Sequence, residues 1–314
     1  MPFLSSILLR WPLCLHCRHV ADKTDFEDFN NNSGVDYYLV PNIIHFIRWN
    51  ISAFNFVDIV CIRAAYIAQK PDRILIHTNI KKFSGKYSEV LKEWPDLYNI
   101  TEIVESYPPK SIFGQRFRGP FALSHGSDIE RIRILMKYGG IYLDRDVYVV
   151  QNLNKYRKYE MVLGWINNWP RIGTMVYLAH KDARFLPLYI KTYQGSYNAS
   201  VWYYNAGRKP VEDILLKRPE LIHRVKTKFG VNVEITHYLY NTQNWSDWKK
   251  QDTIHLCINH RNYMYPDNFK RYPILDENTI LTYNYTFREM AMQAYFARDT
   301  LTNHLSNTTS ISTT

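Results

Sequence analysis

The chain has 314 residues, a length that fits two domains or one large α/β unit. Hydrophobic residues make up 46% of it and charged residues 22%, which excludes a wholly disordered, collagen-like or coiled-coil protein. The formal net charge of +10 favours phosphate-bearing partners such as nucleotides, nucleic acid or an anionic membrane, without choosing among them.

The N-terminal residues are mostly apolar. No uninterrupted apolar run reaches the roughly 18 residues that a transmembrane helix needs, and residues 3–9 fit a short signal segment or the remnant of a longer anchor. The polar stretch 21–34 predicts a linker. We predict three regions: 1–37 as N-terminal hydrophobic segment and linker, 38–300 as the folded domain, and 301–314 as a disordered tail.

A strand, a helix and a second strand follow the linker. Residues 42–47 are a short apolar run that predicts a buried strand, and residues 54–69 have helical spacing that ends before Pro71. Residues 73–78 predict the next strand. This order is a βαβ unit, and it predicts a parallel sheet.

Another helix is predicted before a strand with charges at its centre, which spans 141–150. Ser127 and Glu130 have the Ser-X-X-Glu spacing of a capping box, and Gly139-Gly140 is a stop signal. The core side of this helix would carry Ile129, Ile132, Leu135 and Met136. Further strands are expected at 161–165 and 174–179, and further helices at 185–193 and 210–216.

The four cysteines are too few for a disulfide scaffold. Cys14-X-X-Cys17 lacks the second ligand pair that a structural zinc site needs. Cys61 and Cys257 either form a disulfide in an oxidising compartment or are two buried thiols, because sequence does not fix connectivity.

The most informative feature is Asp144-Arg145-Asp146, which lies inside a run of apolar residues where unpaired carboxylates cost free energy. In an extended chain both carboxylates point to one side. Two such oxygen donors suit Mg²⁺ or Mn²⁺, whereas the alternative is a solvated strand end with ion pairs to Arg131 or Arg133. Asp128 and Arg131 lie three residues apart on one helix face before the motif, and this context favours the functional interpretation.

The string 125–131, continued by Gly-Gly-Ile-Tyr-Leu-Asp-Arg-Asp-Val at 139–147, closely resembles the sugar-binding region with the DXD motif in glycosyltransferase family 32. That family includes fungal α-1,6-mannosyltransferases and animal α-1,4-galactosyltransferases. The likeness covers roughly residues 38–265. It implies an α/β fold of the GT-A type, Rossmann-like, with a mainly parallel central sheet and helices on both faces.

The resemblance also implies the activity. The chain would be a hexosyltransferase: a metal-dependent, retaining glycosyltransferase that moves a hexose or N-acetylhexosamine from a UDP-linked nucleotide sugar to a glycan, glycolipid or glycoprotein acceptor. By position, Asp144 would contact the sugar or ribose, and Asp146 would ligate the Mn²⁺ or Mg²⁺ that bridges the diphosphate. These two aspartates are the catalytic candidates.

Other positions follow from the same resemblance. Asp128 and Arg131 would hold sugar hydroxyls, Arg131 as a planar fork of donors, and Tyr142 is a further substrate-binding candidate. Trp49 would stack on uracil, although it is one residue out of register and Arg48 competes for the place. His255 would complete the metal site, or else it is a strand histidine that points into the core.

Two alternatives stay open. Thr174-Met175 occupies positions where relatives usually carry Asn-Gly, which supports a catalytically impaired sugar-nucleotide-binding relative. Residues 208–228 hold seven basic and three acidic residues and suggest a nucleic-acid binder. No RNA- or DNA-binding motif accompanies that charge, so we predict no nucleic-acid partner.

Asn-X-Ser/Thr sequons are more frequent than composition predicts, which favours a secretory-pathway chain. With the family's Golgi residence, we predict a lumenal, membrane-associated Golgi enzyme of type II topology, with an anchor that is short or missing here. The seven sequons are at Asn31, Asn50, Asn99, Asn198, Asn244, Asn284 and Asn307.

Overall fold

The structure is a computed structural model, and it describes residues 25–297. Its strands are β1 (Ile43–Ile47), β2 (Arg73–Thr78), β3 (Thr101–Glu105), β4 (Ser111–Ile112), β5 (Gln115–Arg116), β6 (Gly140–Leu143), β7 (Val147–Val149), β8 (Met161–Gly164), β9 (Val176–Ala179), β10 (His223–Val225) and β11 (Thr253–His255). Its α-helices are α1 (Phe56–Gln69), α2 (Lys86–Lys92), α3 (Pro95–Asn99), α4 (Ala122–Tyr138), α5 (Phe185–Lys191), α6 (Ile235–Tyr240), α7 (Arg261–Met264), α8 (Pro266–Arg271), α9 (Thr279–Thr282) and α10 (Phe287–Tyr295).

Seven strands form the central sheet in the order β10-β8-β9-β6-β1-β2-β3. The pairs β1–β2, β1–β6, β2–β3 and β8–β10 are parallel, while β9 runs antiparallel to both of its neighbours. The predicted βαβ unit is therefore β1-α1-β2, and the strand 73–78 has the bounds expected from sequence. The predicted α/β architecture with a mainly parallel central sheet is confirmed.

Alternate residues of the strands bury opposite faces of this sheet, as the two-residue period of a strand requires. Ile141 and Leu143 share a buried cluster with Ile59 and Ile62 of α1. Tyr142 points the other way and belongs to a cluster with α4 and α5. Helices thus cover both faces, and the site at the end of β6 lies between them.

A third buried cluster joins the C-terminal third of the chain to the outer side of α1. Phe56 and Val60 of α1 pack in it with Phe287 and Met290 of α10. Tyr148 on β7 belongs to the same cluster. Because β7 follows the Asp-X-Asp motif directly, this packing places the C-terminal third beside the motif.

The helix before the motif differs from its prediction at its first turns. It begins at Ala122, so Ser127 lies inside α4 and caps nothing, but it ends at Gly139 as expected. Three of the four predicted core residues are fully buried, whereas Met136 is exposed. The Ser-X-X-Glu spacing was misleading because the helix begins five residues before Ser127, at a position that no side chain caps.

The end of the predicted linker packs on the domain. Asn31 is buried, its side-chain amide donates to the Glu220 carbonyl (2.9 Å), and its Oδ1 accepts from the Glu160 amide (3.2 Å). Arg184 donates to the carbonyls of Glu27 and Phe29. Residues 27–31 are therefore held by tertiary contacts, which polar composition alone does not predict.

Several predictions concern residues outside 25–297: the signal segment 3–9, the pair Cys14 and Cys17, the sequon at Asn307 and the tail 301–314. Within the described range, no helix combines the length and the apolar character needed to cross a membrane. Cys61 and Cys257 are free, buried thiols, which decides between the two alternatives for them.

A buried histidine pair joins β1 to β2. His45 Nδ1 lies 3.1 Å from His77 Nε2, and His45 Nε2 lies 2.8 Å from the Gly139 carbonyl oxygen. Burial is the main cause that lowers the pKa of His45 to about 4 and the pKa of His77 to about 3. Both rings are therefore neutral in the folded protein at pH 7.

This pair makes the fold acid-sensitive. Because both folded pKa values lie below the unfolded value, the stabilisation is complete above pH 6.5 and is lost as the pH falls toward 4. We expect each ring to account for a loss of about 3 kcal/mol in the free energy of unfolding between pH 7 and pH 4, about 6 kcal/mol for the pair, measured by urea titration. His77→Gln should weaken the dependence of the free energy of unfolding on pH. His237→Gln, at an exposed histidine, should leave it unchanged. The same pH dependence in both variants would contradict the assignment of the acid sensitivity to the buried pair.

Candidate functional site

The Gly139-Gly140 turn brings α4 back against the sheet. Both glycines have positive φ angles, 62° and 110°. A Cβ atom at Gly140 would stand 2.6 Å from the Ile43 carbonyl oxygen, so only glycine allows β6 to lie this close to β1. The turn sets the Asp128–Arg131 face of α4 beside the carboxyl end of β6.

The strand predicted over 141–150 is interrupted at the motif. β6 ends at Leu143, and a turn closed by the Val147 amide donating to the Asp144 carbonyl (2.9 Å) precedes β7. The expectation of one extended strand through Asp144 and Asp146 is wrong. The turn lets the two carboxylates take different partners.

The first carboxylate group is built around Arg131, which is buried. Its Nη2 lies 3.1 Å from Asp128 Oδ1 and its Nη1 lies 3.4 Å from Asp144 Oδ1. The Tyr142 hydroxyl donates to the same Asp144 oxygen (2.7 Å). The structure therefore brings four predicted residues together, with Tyr142 buried and holding Asp144 through its hydroxyl.

Asp128 is the unusual acid of this group. Burial raises its pKa, the positive charge of Arg131 opposes that rise, and the negative charge of Asp144 adds to it, so that the pKa reaches about 6. Arg131 lies between the carboxylates of Asp128 and Asp144 in a mostly buried corner. Together these side chains can donate hydrogen bonds to hydroxyl groups and accept hydrogen bonds from them.

The second carboxylate belongs to Asp146. His255 Nε2 lies 3.2 Å from its Oδ1, and the Ile258 amide donates to its Oδ2 (3.0 Å). Burial alone would raise the pKa of Asp146, but the charge and hydrogen bond of His255 and the Ile258 amide outweigh burial and lower it to about 2. Asp146 is therefore fully ionised at neutral pH.

His255 reaches this position through the antiparallel pair β7–β11, in which it lies opposite Val147. Its Nδ1 lies 3.5 Å from Cys257 Sγ, which leaves Nε2 to face Asp146. The mostly enclosed ring thus lies between Asp146 and Cys257, next to the second aspartate of the motif.

Asp146 and His255 are the candidate donors for a metal ion. Across residues 25–297, no group of three or more His, Cys, Asp or Glu side chains is arranged to hold a metal ion. Burial lowers the pKa of His255, but Asp146 outweighs burial and raises it, so the two residues form an ion pair, and His255 becomes a metal donor only after it gives up its proton. Mn²⁺ and Mg²⁺ usually complete their shells with water and substrate phosphates, so two protein donors fit an ion shared with a diphosphate.

Trp49 and Arg48 lie at the carboxyl end of β1 on opposite sides of the sheet. Trp49 is buried in the cluster that contains α4, and its indole N–H has no hydrogen-bond partner among the described residues. Arg48 Nη1 pairs with Asp58 Oδ1 of α1 at 2.7 Å. The structure therefore places the two competing residues in separate environments, and neither ring nor guanidinium is free at the surface.

Sequence reasoning missed the network that Arg145 completes. Its Nη1 lies 3.4 Å from Asp58 Oδ1, and its Nη2 donates to Asn259 Oδ1 (2.7 Å). Asp58 thus faces two arginines, Arg48 and Arg145. The only local signal was the Asn55-X-X-Asp58 capping box, which is formed but does not predict a partner 87 residues away.

The Thr174-Met175 departure leaves the backbone contacts of the site in place. The Thr174 carbonyl accepts from Arg131, and the Met175 carbonyl accepts from the Asp144 amide (2.9 Å). Both side chains are buried, and the Thr174 amide donates to the Tyr203 hydroxyl (3.1 Å). Main-chain atoms at these two positions support the carboxylate groups whichever side chains they carry.

Part of the chain, including the carboxylate groups, matches a known family model. Residues 59–163 match the family model described as the glycosyltransferase sugar-binding region containing DXD motif. The matched range begins in α1, ends in β8 and contains Asp128, Arg131, Asp144 and Asp146. The resemblance found in the sequence is confirmed over these residues.

Two proteins of known name are similar to part of the chain in sequence. Lactosylceramide 4-alpha-galactosyltransferase of Rattus norvegicus is 31% identical over 134 residues, which is 42% of this chain and 35% of the rat protein. The Homo sapiens protein of the same name is 28% identical over 144 residues, 42% of this chain and 36% of its own length. The match thus spans about a third of each of these two relatives.

Solved structures also resemble the chain. The PaToxG glycosyltransferase is 18% identical with a TM-score of 0.37, over 57% of this chain and 70% of that chain. The galactosyltransferase LgtC in complex with donor and acceptor sugar analogs is 11% identical with a TM-score of 0.38, over 75% of this chain and 98% of that chain.

Proposed function

We propose that the protein is a metal-dependent, retaining glycosyltransferase that moves a hexose or N-acetylhexosamine from a UDP-linked sugar to a glycan, glycolipid or glycoprotein. In such a transfer the bond from the anomeric carbon to the diphosphate breaks and its electron pair leaves with the nucleoside diphosphate. A bond forms to an acceptor hydroxyl oxygen, which loses its proton. The observation that carries the proposal is the division of the motif into two carboxylate groups with different cationic partners.

The first group is suited to the sugar. Asp128, Arg131 and Asp144 combine charged acceptors with a planar donor, and charge-assisted hydrogen bonds of this kind are stronger than neutral ones. Tyr142 keeps Asp144 in place through its hydroxyl. We assign hydroxyl recognition on the donor to this group, with Tyr142 as a positioning residue.

The second group is suited to the diphosphate. Asp146 would hold Mn²⁺ or Mg²⁺, and His255 would join it on giving up the proton that the ion pair retains; the imidazole nitrogen favours Mn²⁺ of the two. Such an ion, when bound, supplies positive charge against the charge that develops on the departing diphosphate. Arg145, next in the chain, adds a fixed positive charge on the same turn.

The compartment and the acceptor are part of this proposal. The sequon residues Asn50, Asn99, Asn244 and Asn284 are exposed, as a lumenal Golgi protein with glycans requires. Asn31 is buried and hydrogen-bonded, so we exclude it from the glycan sites. We retain 38–300 as the catalytic domain and membrane association as a feature of the full enzyme. The names of the relatives make a galactose donor and a lactosylceramide acceptor the first pair to test.

The test is a screen of nucleotide sugars for hydrolysis by the purified chain. We expect release of the nucleoside diphosphate from one UDP-hexose or UDP-N-acetylhexosamine in the presence of Mn²⁺, and loss of that release in EDTA. Isothermal titration calorimetry would run in parallel. Binding of a UDP-sugar without hydrolysis or transfer would favour the alternative, a catalytically impaired relative, and the absence of both binding and turnover would reject the proposal.

A further inference from the structure

Two exposed aromatic side chains and a half-buried histidine between them form a row beside the carboxylate groups. We call this row the aromatic rim; it consists of Trp202, His260 and Tyr263. Trp202 is 45% exposed and Tyr263 is 65% exposed. The rings of Trp202 and His260 meet edge to face at 5.5 Å, and those of His260 and Tyr263 lie 5.5 Å apart. Large aromatic rings left open to water in a continuous row mark a binding surface more often than a packing defect.

The Trp202 end of the rim is tied to the sugar-binding group. The Trp202 carbonyl oxygen lies 3.1 Å from His125 Nε2, and His125 is on α4, one turn before Asp128. Tyr203, the next residue, accepts a hydrogen bond from the Thr174 amide, whose own carbonyl accepts from Arg131. Trp202 is thus anchored through its backbone, while its ring remains open.

The His260 end is tied to the diphosphate group. His260 closes the short 3-10 turn Ile258–His260. The Ile258 amide donates to Asp146, and Asn259 Oδ1 accepts from Arg145. The contact between Trp202 and His260 therefore joins the two sides of the donor site. The rim is therefore anchored next to both carboxylate groups.

The chemistry of the rim fits a pyranose ring better than a lipid surface. An aromatic face offers apolar area with a negative quadrupole, which pairs with the slightly positive C–H groups on one face of a sugar ring. The imidazole of His260 and the neighbouring amide of Asn259 supply hydrogen-bonding groups for sugar hydroxyls. A membrane contact would instead call for basic residues around the rings, as on interfacial helices.

We propose that the aromatic rim is the acceptor subsite and that a pyranose of the acceptor glycan stacks on Trp202 and Tyr263. This inference rests on the proposed function for the identity of its ligand, but binding of a glycoside can be measured without turnover. The two proposals can therefore fail separately.

The experiment is saturation-transfer NMR on the full chain with four probes: methyl β-lactoside, methyl β-galactoside, methyl β-N-acetylglucosaminide and methyl α-mannoside. We expect at least one glycoside to bind, and Trp202→Ala and Tyr263→Ala each to raise its Kd by about 3- to 10-fold. Trp202→Phe should retain most of the affinity because it keeps an aromatic face. Tyr98→Ala is the matched control, because Tyr98 is also 45% exposed but lies in α3, before β3, at the opposite edge of the sheet.

The outcomes separate the possibilities. No binding of any glycoside up to about 50 mM, or equal Kd values for the wild type and Trp202→Ala, would overturn the inference. Trp202-dependent binding to phosphatidylcholine vesicles without glycoside binding would overturn it in favour of a membrane contact. Glycoside binding that depends on Trp202 in a protein without nucleotide-sugar turnover would support the subsite and reject the proposed function alone.

Discussion

Asp146→Asn is expected to reduce nucleotide-sugar turnover by about 10³-fold, because under the proposed function it removes the carboxylate that would hold the metal ion. The substitution preserves size and leaves an oxygen that can still accept from the Ile258 amide, so the turn before β7 should keep its shape. Initial rates of diphosphate release, measured across a Mn²⁺ titration, give the result. Raising Mn²⁺ above the concentration that saturates the wild type should not restore the rate.

Asp182→Asn is the control for this substitution. Asp182 is partly exposed, pairs with Lys181 Nζ at 2.9 Å and follows β9. Because Ala179 pairs with Gly140 at the amino end of β6, Asp182 lies at the edge of the sheet away from the motif. The Asp182→Asn variant should release the diphosphate at the wild-type rate. Full activity in Asp146→Asn would exclude the metal role assigned to Asp146.

Arg131→Met should lower the free energy of unfolding by about 3–5 kcal/mol, because it leaves the buried carboxylate of Asp128 without its cation. The loss should be largest at neutral pH and smaller at pH 5, where a buried and unpaired Asp128 binds a proton. Urea denaturation at the two pH values measures the difference. Turnover should be lost as well, since Arg131 also faces Asp144.

The same helix supplies the control. Arg133 is two residues further along α4, its side chain is 46% exposed, and its pair with Glu130 is long at 3.9 Å. Arg133→Met should change stability by less than about 0.5 kcal/mol. The double variant Asp128→Asn/Arg131→Met should be more stable than Arg131→Met alone, because it buries no uncompensated charge. If Arg131→Met and Arg133→Met lowered the free energy of unfolding equally, the buried pairing of Arg131 with Asp128 would be contradicted.

Local patterns in the sequence were enough for the first half of the sheet. Apolar runs next to prolines located β1, α1 and β2. The Gly139-Gly140 stop was correct because the close approach of β6 to β1 admits only glycine there. The start of α4 was missed because no side chain caps it. The break between β6 and β7 was missed because the apolar residues on both sides continue one strand pattern, while a turn and a hydrogen bond decide the geometry.

In the candidate site, too, contacts between residues close in sequence were predictable and contacts between distant segments were not. Asp128, Arg131, Asp144 and Tyr142 are close in sequence, and the structure brings them together as the motif predicts. His255 meets Asp146 only because β11 pairs with β7, a contact between distant segments that no local pattern encodes. The pairing of Arg145 with Asp58 and the position of the aromatic rim depend on tertiary packing in the same way.

The attachment of the C-terminal third through β11 and α10 bears on how this protein tolerates premature termination. A stop codon before Thr253 would remove His255 and the strand that presents it, together with the α10 residues that cover α1. A product shortened in this way would expose the apolar surface of α1, including Phe56 and Val60, and would be prone to aggregate. Loss-of-function alleles of this kind should therefore lower the amount of protein in the cell together with its specific activity, whereas Asp146→Asn should lower specific activity alone.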